Sequence, residues 1–269
     1  IPQMRLVKLG WVMVMLFAVL AAVGTAQTAV PTVAVSAGKS AITATPGGPI
    51  APGPTRFTFT RAGKGDVDGF LATLRAGVTT DELRQSLAKQ SEEALGLVFL
   101  EASVSLSDQA QSRALTVTLR PNVTYVLVSS SGRSFGLTTL ATTGTDSGAQ
   151  APAPDARIRM VDYGFRGPGT LPRQGVIRVE NRGAAYHFAL AFPLRQRAKA
   201  KRVKSALRTG NEKALERVVA GAPITVQNLI SPGSANDDEI RFARRGRYAF
   251  VCFFGAHNAL GMYKIFRVR

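Results

Sequence analysis

Hydrophobic positions along the 269-residue chain fall into short alternating runs rather than long helical stripes. Residues 156–165 (ARIRMVDYGF) and 175–181 (GVIRVEN) alternate apolar and polar side chains between Gly- and Pro-bearing breaks, which predicts half-buried strands. HFALAF at 187–192 predicts a third strand, and DEIRFA (238–243), RYAFVCF (247–253) and YKIFRV (263–268) predict three more. Two stretches depart from this pattern. Residues 199–208 and 212–219 have helix-forming composition and are separated by Thr209-Gly210-Asn211, a stop and a restart. A comparable helical insert is expected over about 81–100. Many short strands with Gly/Pro turns predict a mainly β fold, a β-sandwich on which the helices are an insertion.

The pattern repeats. Residues 60–74 (TRAGKGDVDGFLATL) align without gaps on 180–194 (ENRGAAYHFALAFPL) at an offset of 120, and EEALGLV at 92–98 falls on EKALERV at 212–218 with the same offset. VTYVLVSSSG at 123–132 falls on GRYAFVCFFG at 246–255, the offset having grown to 123. Three colinear matches predict an internal duplication. Residues 143–155 (TGTDSGAQAPAPD) have no apolar periodicity and are expected to be a Pro/Ala/Gly linker between repeats at 27–142 and 156–269. Residues 27–54, rich in Ala, Thr, Gly and Pro, are expected to be a leader with at most an edge strand.

The first 26 residues have the features of an export signal. Met4 is the expected initiator, Arg5 and Lys8 form a basic start, and an apolar run from Trp11 to Val23 leads to Gly24-Thr25-Ala26. The run is short of the ~20 apolar residues that a membrane span needs. Cleavage after Ala26 is expected, with an uncleaved anchor as the alternative. Either outcome makes the protein extracytoplasmic: periplasmic, secreted or held on the outer face of a membrane.

Composition narrows the chemistry. The chain holds one Cys and two His, so it cannot form an internal disulfide, a Cys-rich zinc module or a CxxC redox centre. Its formal charge of +17 is unevenly spread. Residues 27–155 carry 10 basic and 10 acidic side chains, whereas residues 156–269 carry 22 basic and 7 acidic. The excess concentrates at 195–208 (RQRAKAKRVKSALR) and 241–247 (RFARRGR).

The scarce residues cluster in the second repeat. Cys252, His257 and Met262 stand in a C-x4-H-x4-M spacing, and the other His, His187, follows an Asn-x-Gly turn in NRGAAYHFAL. Together these resemble the cupredoxins, the plastocyanin/azurin family of type 1 (blue) copper proteins. The resemblance covers most of 156–269 and implies two tandem cupredoxin-like Greek-key β-sandwiches, each with a helical insertion. It further implies one copper ion per chain, cycling between Cu(I) and Cu(II), with His187, Cys252 and His257 as strong ligands and Met262 as the axial one. A His2Cys set with a weak thioether suits both oxidation states of copper. The competing reading makes Cys252 a buried strand thiol and the other three incidental.

The first repeat is expected to lack the site. Val67 aligns with His187, Ser129 with Cys252, Ser134 with His257 and Thr139 with Met262. Multicopper enzymes need further His-rich centres, so a one-electron carrier is expected rather than an enzyme, and no small-molecule substrate. A copper-delivery protein and a metal-free interaction module are the alternatives. The export signal argues against nucleic acid as the partner. The basic runs 195–208 and 241–247 are expected to meet an acidic redox partner or an anionic membrane surface, on the same face as the metal.

Overall fold

In a computed structural model, residues 28–91 and 93–269 are described; the expected signal at 1–26 lies outside them. The first repeat contributes eight strands: β1 (Thr32–Ala37), β2 (Ile42–Thr45), β3 (Gly53–Arg61), β4 (Val67–Leu74), β5 (Val98–Leu106), β6 (Ser112–Leu119), β7 (Thr124–Ser131) and β8 (Ser134–Ala141). The second contributes β9 (Ala156–Val161), β10 (Gly164–Arg166), β11 (Thr170–Leu171), β12 (Gln174–Asn181), β13 (His187–Pro193), β14 (Ile224–Ile230), β15 (Ala235–Arg241), β16 (Gly246–Val251) and β17 (Tyr263–Val268). Residues 143–155 form neither helix nor strand.

The two repeats use one strand order. The first pairs its strands as β2-β1-β3-β6 and β5-β4-β7-β8; the second as β10-β9-β12-β15 and β14-β13-β16-β17, with β11 added beside β17. In both, the first strand runs parallel to a later neighbour in the same sheet, β1 along β3 and β9 along β12. Apolar side chains of the facing sheets fill one core per repeat, around Phe57, Phe59 and Leu127 in the first and Ile158, Phe250 and Phe266 in the second. The chain is therefore two cupredoxin-like sandwiches in tandem.

Helices connect β4 to β5 in the first repeat and the equivalent β13 to β14 in the second. In the first they are α1 (Thr80–Ala88) and α2 (Glu93–Leu97); in the second, α3 (Ala200–Thr209) and α4 (Glu212–Val218). Helix α1 starts where it does because Thr79 and Glu82 form a reciprocal capping box. Gly210, at φ +63°, ends α3 in the left-handed conformation, and the Asn211 side chain accepts from the Ala214 N–H to start α4.

Three sequence expectations change. Residues 32–37 are not an edge leader: their TVAVSA alternation buries every second side chain, and β1 lies between β2 and β3. The run 156–165 is a hairpin rather than one strand, with Asp162 and Tyr163 at its turn. Strand β14 was not anticipated, because ITVQNLI lacks strict alternation.

The repeats join edge to edge. Asp237 and Asp238 of β15 pair antiparallel with Thr116 and Leu115 of β6, fusing the two sandwiches through one eight-stranded sheet. Behind this seam the Arg113 guanidinium donates to both carboxylate oxygens of the buried Asp238, at 2.8 and 2.7 Å, and to the Thr225 carbonyl at 2.6 Å. Burial raises the Asp238 carboxyl to about 6, and Arg113 only partly offsets this. Arg113→Ala would leave that carboxylate buried without its partner. It is expected to lower unfolding stability by about 3–5 kcal/mol in urea titrations. The pH dependence has a definite sign. A carboxyl whose folded value is raised from 3.8 to about 6 contributes stability that is full below 3.8 and lost as pH rises through 6. The unfolding midpoint of the native protein is thus expected to rise, relative to Asp238→Asn, as pH falls from about 7 to 4.

Candidate metal centre

Strands β13 and β16 pair antiparallel, with Leu190 opposite Val251 and Pro193 opposite Tyr248. This register sets the start of β13, at His187, beside the end of β16, where Cys252 follows. From Cys252 the chain makes a short 3-10 turn over Phe254–Ala256 and returns at Met262 to begin β17. The loop is closed by its own backbone: Cys252 N–H donates to the Met262 carbonyl at 3.2 Å, and Met262 N–H to the His257 carbonyl at 2.9 Å. Asn258 Nδ2 ties it to the end of α3 through the Leu207 and Arg208 carbonyls.

His187, Cys252 and His257 converge. One ligand atom from each lies within 4.8 Å of the others, and all three residues are buried. The two Nδ1 atoms face one another at 3.1 Å, and Cys252 Sγ lies 3.6 Å from His257 Nδ1. Met262 is fully buried in the same core cluster as Cys252. Two imidazole nitrogens, a thiol and a neighbouring thioether form a donor set that fits copper, whose preferences run to soft sulfur and imidazole.

Residues around the cluster hold its orientation. Asn181, at the end of β12, donates its amide to the Ala185 and Ile230 carbonyls and accepts from the Gly183 N–H, which fixes the turn before His187. Asp162, from the β9–β10 turn, accepts from His187 Nε2 at 2.7 Å and from the Ala184 N–H at 2.6 Å. That contact keeps the His187 proton on Nε2 and leaves the Nδ1 lone pair for a cation. Burial pushes the His187 imidazole below its ordinary value, against the opposing pull of Asp162. Burial likewise lowers His257 and raises the Cys252 thiol. The Ala184 N–H and His187 hold Asp162 below the usual carboxylate range.

Sequence reading found the four cluster residues and missed Asp162. It sits 25 residues from His187 in a turn whose Asp-Tyr-Gly sequence signals only a bend. Two aligned positions also shift. Val67 and His187 each open the equivalent strand, as expected. Strands β7 and β8, however, are joined by a tight hairpin in which Ser131 pairs with Ser134. The loop 252–262 has no counterpart there, so Ser134 and Thr139 are ordinary β8 positions.

The placement of charge corrects a further expectation. Leu194 N–H donates to the Arg247 carbonyl, and Gly246 pairs with Val268, so Arg195, Arg247 and Arg267 gather at the opposite ends of the strands that carry the cluster. Five residue steps along and just past β16 lead from Arg247 to Cys252, about 17 Å. The basic run therefore begins at the pole opposite the metal cluster, and α3 carries its end, Arg208, back to the metal loop.

No family model and no curated protein matches the chain. Among solved structures it is similar to auracyanin B, at 17% identity over 45% of this chain and 93% of that one, TM-score 0.29. It is also similar to auracyanin A, a "blue" copper protein of Chloroflexus aurantiacus, at 18% identity over 42% and 96%, TM-score 0.26. The copper nitrite reductase of Nitrosomonas europaea matches at 12% identity over 90% and 94%, TM-score 0.27. Similarity this low carries no argument for function; strand order and the cluster carry the reading.

Gly183 makes the Asp162 contact possible. A Cβ there would collide with the Asp162 carboxylate and lie 2.6 Å from His187 Nε2. Gly183→Ala is expected to cost about 1–3 kcal/mol of unfolding stability. Because the two residues contend for one space, Gly183→Ala with Asp162→Ala should cost less than the sum of the single changes, whereas additive costs would exclude the contact. The chain thus has a cupredoxin fold in two copies, the second of which carries a buried His–Cys–His group with Met262 alongside.

Proposed function

We propose that the second repeat would hold one copper ion through His187 Nδ1, His257 Nδ1 and Cys252 Sγ, with the Met262 thioether as a weaker ligand, and that the protein is an exported one-electron carrier rather than an enzyme. The observation that carries this is the convergence of three buried ligand atoms within 4.8 Å. When bound, the ion supplies one-electron chemistry between Cu(I) and Cu(II). The chain supplies the rest. Asp162 fixes the His187 tautomer, and the backbone-closed loop holds His257 and Met262 in place. Burial of every donor keeps water and exchanging ligands away, which favours retention of the ion over its delivery to another protein. With two His in the chain, both in this group, none remains for a second His-rich centre.

Added Cu(II) should therefore produce the intense visible absorption of a thiolate–copper bond, at one ion per chain. Cys252→Ser should abolish that band while leaving the far-UV spectrum of the β-fold unchanged. A colourless protein that binds copper weakly would overturn the reading. Release of the ion to a mild chelator on reduction would favour delivery instead.

A further inference from the structure

The pole opposite the cluster carries a second chemistry. A cleft of about 560 Å³ opens there against the N-terminal part of α3, lined by the cations of Arg195, Arg197, Lys199, Arg202 and Arg217. A second, of about 430 Å³, adjoins it across residues 194–197 and is lined by Arg244, Arg245 and Arg267. Among the described residues, none of these cations pairs with a carboxylate. The platform is nonetheless built. Arg247 Nη2 donates to the carbonyls of Arg195, Gln196 and Ala198, and Arg244 Nη2 to that of Ala220. Arg247 thus spends a donor on shaping the loop that presents Arg195 and Arg197, and Arg244 ties down the segment after α4.

The two poles also differ in apolar exposure. Among the described residues, the large apolar side chains left exposed are Tyr163, whose ring lies 4.8 Å from that of His257, and Leu260, in the loop between His257 and Met262. Both belong to the metal pole. Protein partners seat on buried aromatic or apolar anchors, and the basic pole presents none. It offers fixed positive charge drawn from separate segments of chain, spread over the whole end of the sandwich. That suits a broad anionic surface better than a single acidic protein.

We propose that the basic pole is a docking surface for an anionic phospholipid bilayer, holding the protein with its metal pole turned away from the lipid. Each cation close to such a surface strengthens binding by roughly fivefold. The proposal does not depend on copper, so its failure and that of the copper reading are separable.

The test uses residues 27–269, which keep every described strand and helix, sedimented with two kinds of vesicle. One is phosphatidylcholine alone; the other is phosphatidylcholine and phosphatidylglycerol in equal parts. Binding is expected only to the second, and to weaken steeply as salt rises. The triple variant Arg195→Gln, Arg197→Gln, Arg202→Gln should bind about a hundredfold more weakly, with an unchanged thermal unfolding midpoint showing that the fold is intact. Leu260→Ser, at the other pole, should bind as the native chain does. Equal binding to both vesicles, or loss of binding in Leu260→Ser, would overturn the proposal. So would displacement by inorganic phosphate but not by chloride at equal ionic strength, which would assign the clefts to a free oxyanion. Tighter binding to single-stranded DNA than to anionic vesicles would assign the pole to nucleic acid.

Discussion

The antiparallel register of β13 against β16 sets both ends of the second sandwich. With Leu190 opposite Val251, the start of one strand and the end of the other meet at a single pole, and this alone brings His187 beside Cys252 across 65 residues of chain. The same ladder, followed the other way, brings Leu194 beside Arg247. A one-residue slip would turn every side chain of the pair to the opposite face and separate the donors. The bonds of Asn181 to Ile230 and Ala185 guard against such a slip at the metal end, and those of Arg247 to the 195–198 loop do so at the other.

The first repeat supports this arrangement from outside. Strand β14 ends at Ile230, which pairs with His187 and accepts from Asn181. Just beyond it, Ser231 Oγ accepts from the Leu100 N–H at 2.8 Å, and Ser234 Oγ donates to the Leu100 carbonyl at 2.6 Å. Ser103 Oγ donates to the Leu229 carbonyl. Strand β5 of the first repeat thus grips the segment that backs the His187 strand. A sandwich with no ligand at the His187-equivalent position, Val67, still earns its place as a buttress. Where the second repeat carries the loop 252–262, the first has a two-residue hairpin turn.

What was legible in the sequence follows from what is local. Cys252, His257 and Met262 sit in one short loop, so their spacing shows directly, and the Asn-x-Gly turn marks His187 from within seven residues. The helices were legible because Gly210 and Asn211 punctuate them. Asp162 was not, because its role comes from a turn in one sheet reaching a strand in the other. The second-repeat charge was countable, but a count says nothing about which end of a strand each cation occupies. Only the register does, and it moved Arg195, Arg247 and Arg267 from the metal's face to the far pole. The duplication was visible where strands align and misleading at Ser134 and Thr139, where the two copies differ in loop length.

That separation has an electrostatic consequence for the proposed ion. Unit charges about 17 Å apart interact by roughly 0.2 kcal/mol in water. Screening over a Debye length of about 8 Å cuts this by nearly another factor of ten. Even nine cations at such a distance, the number that lines the two clefts, would therefore shift the balance between Cu(I) and Cu(II) only slightly. Asp162 is different in kind: its charge is hydrogen-bonded to a ligand ring and is held ionised by the Ala184 N–H. One carboxylate at contact outweighs a whole pole of distant arginines. The large net charge can thus serve attachment without disturbing the chemistry at the other end, and the ladder between the poles is what keeps the two tasks apart.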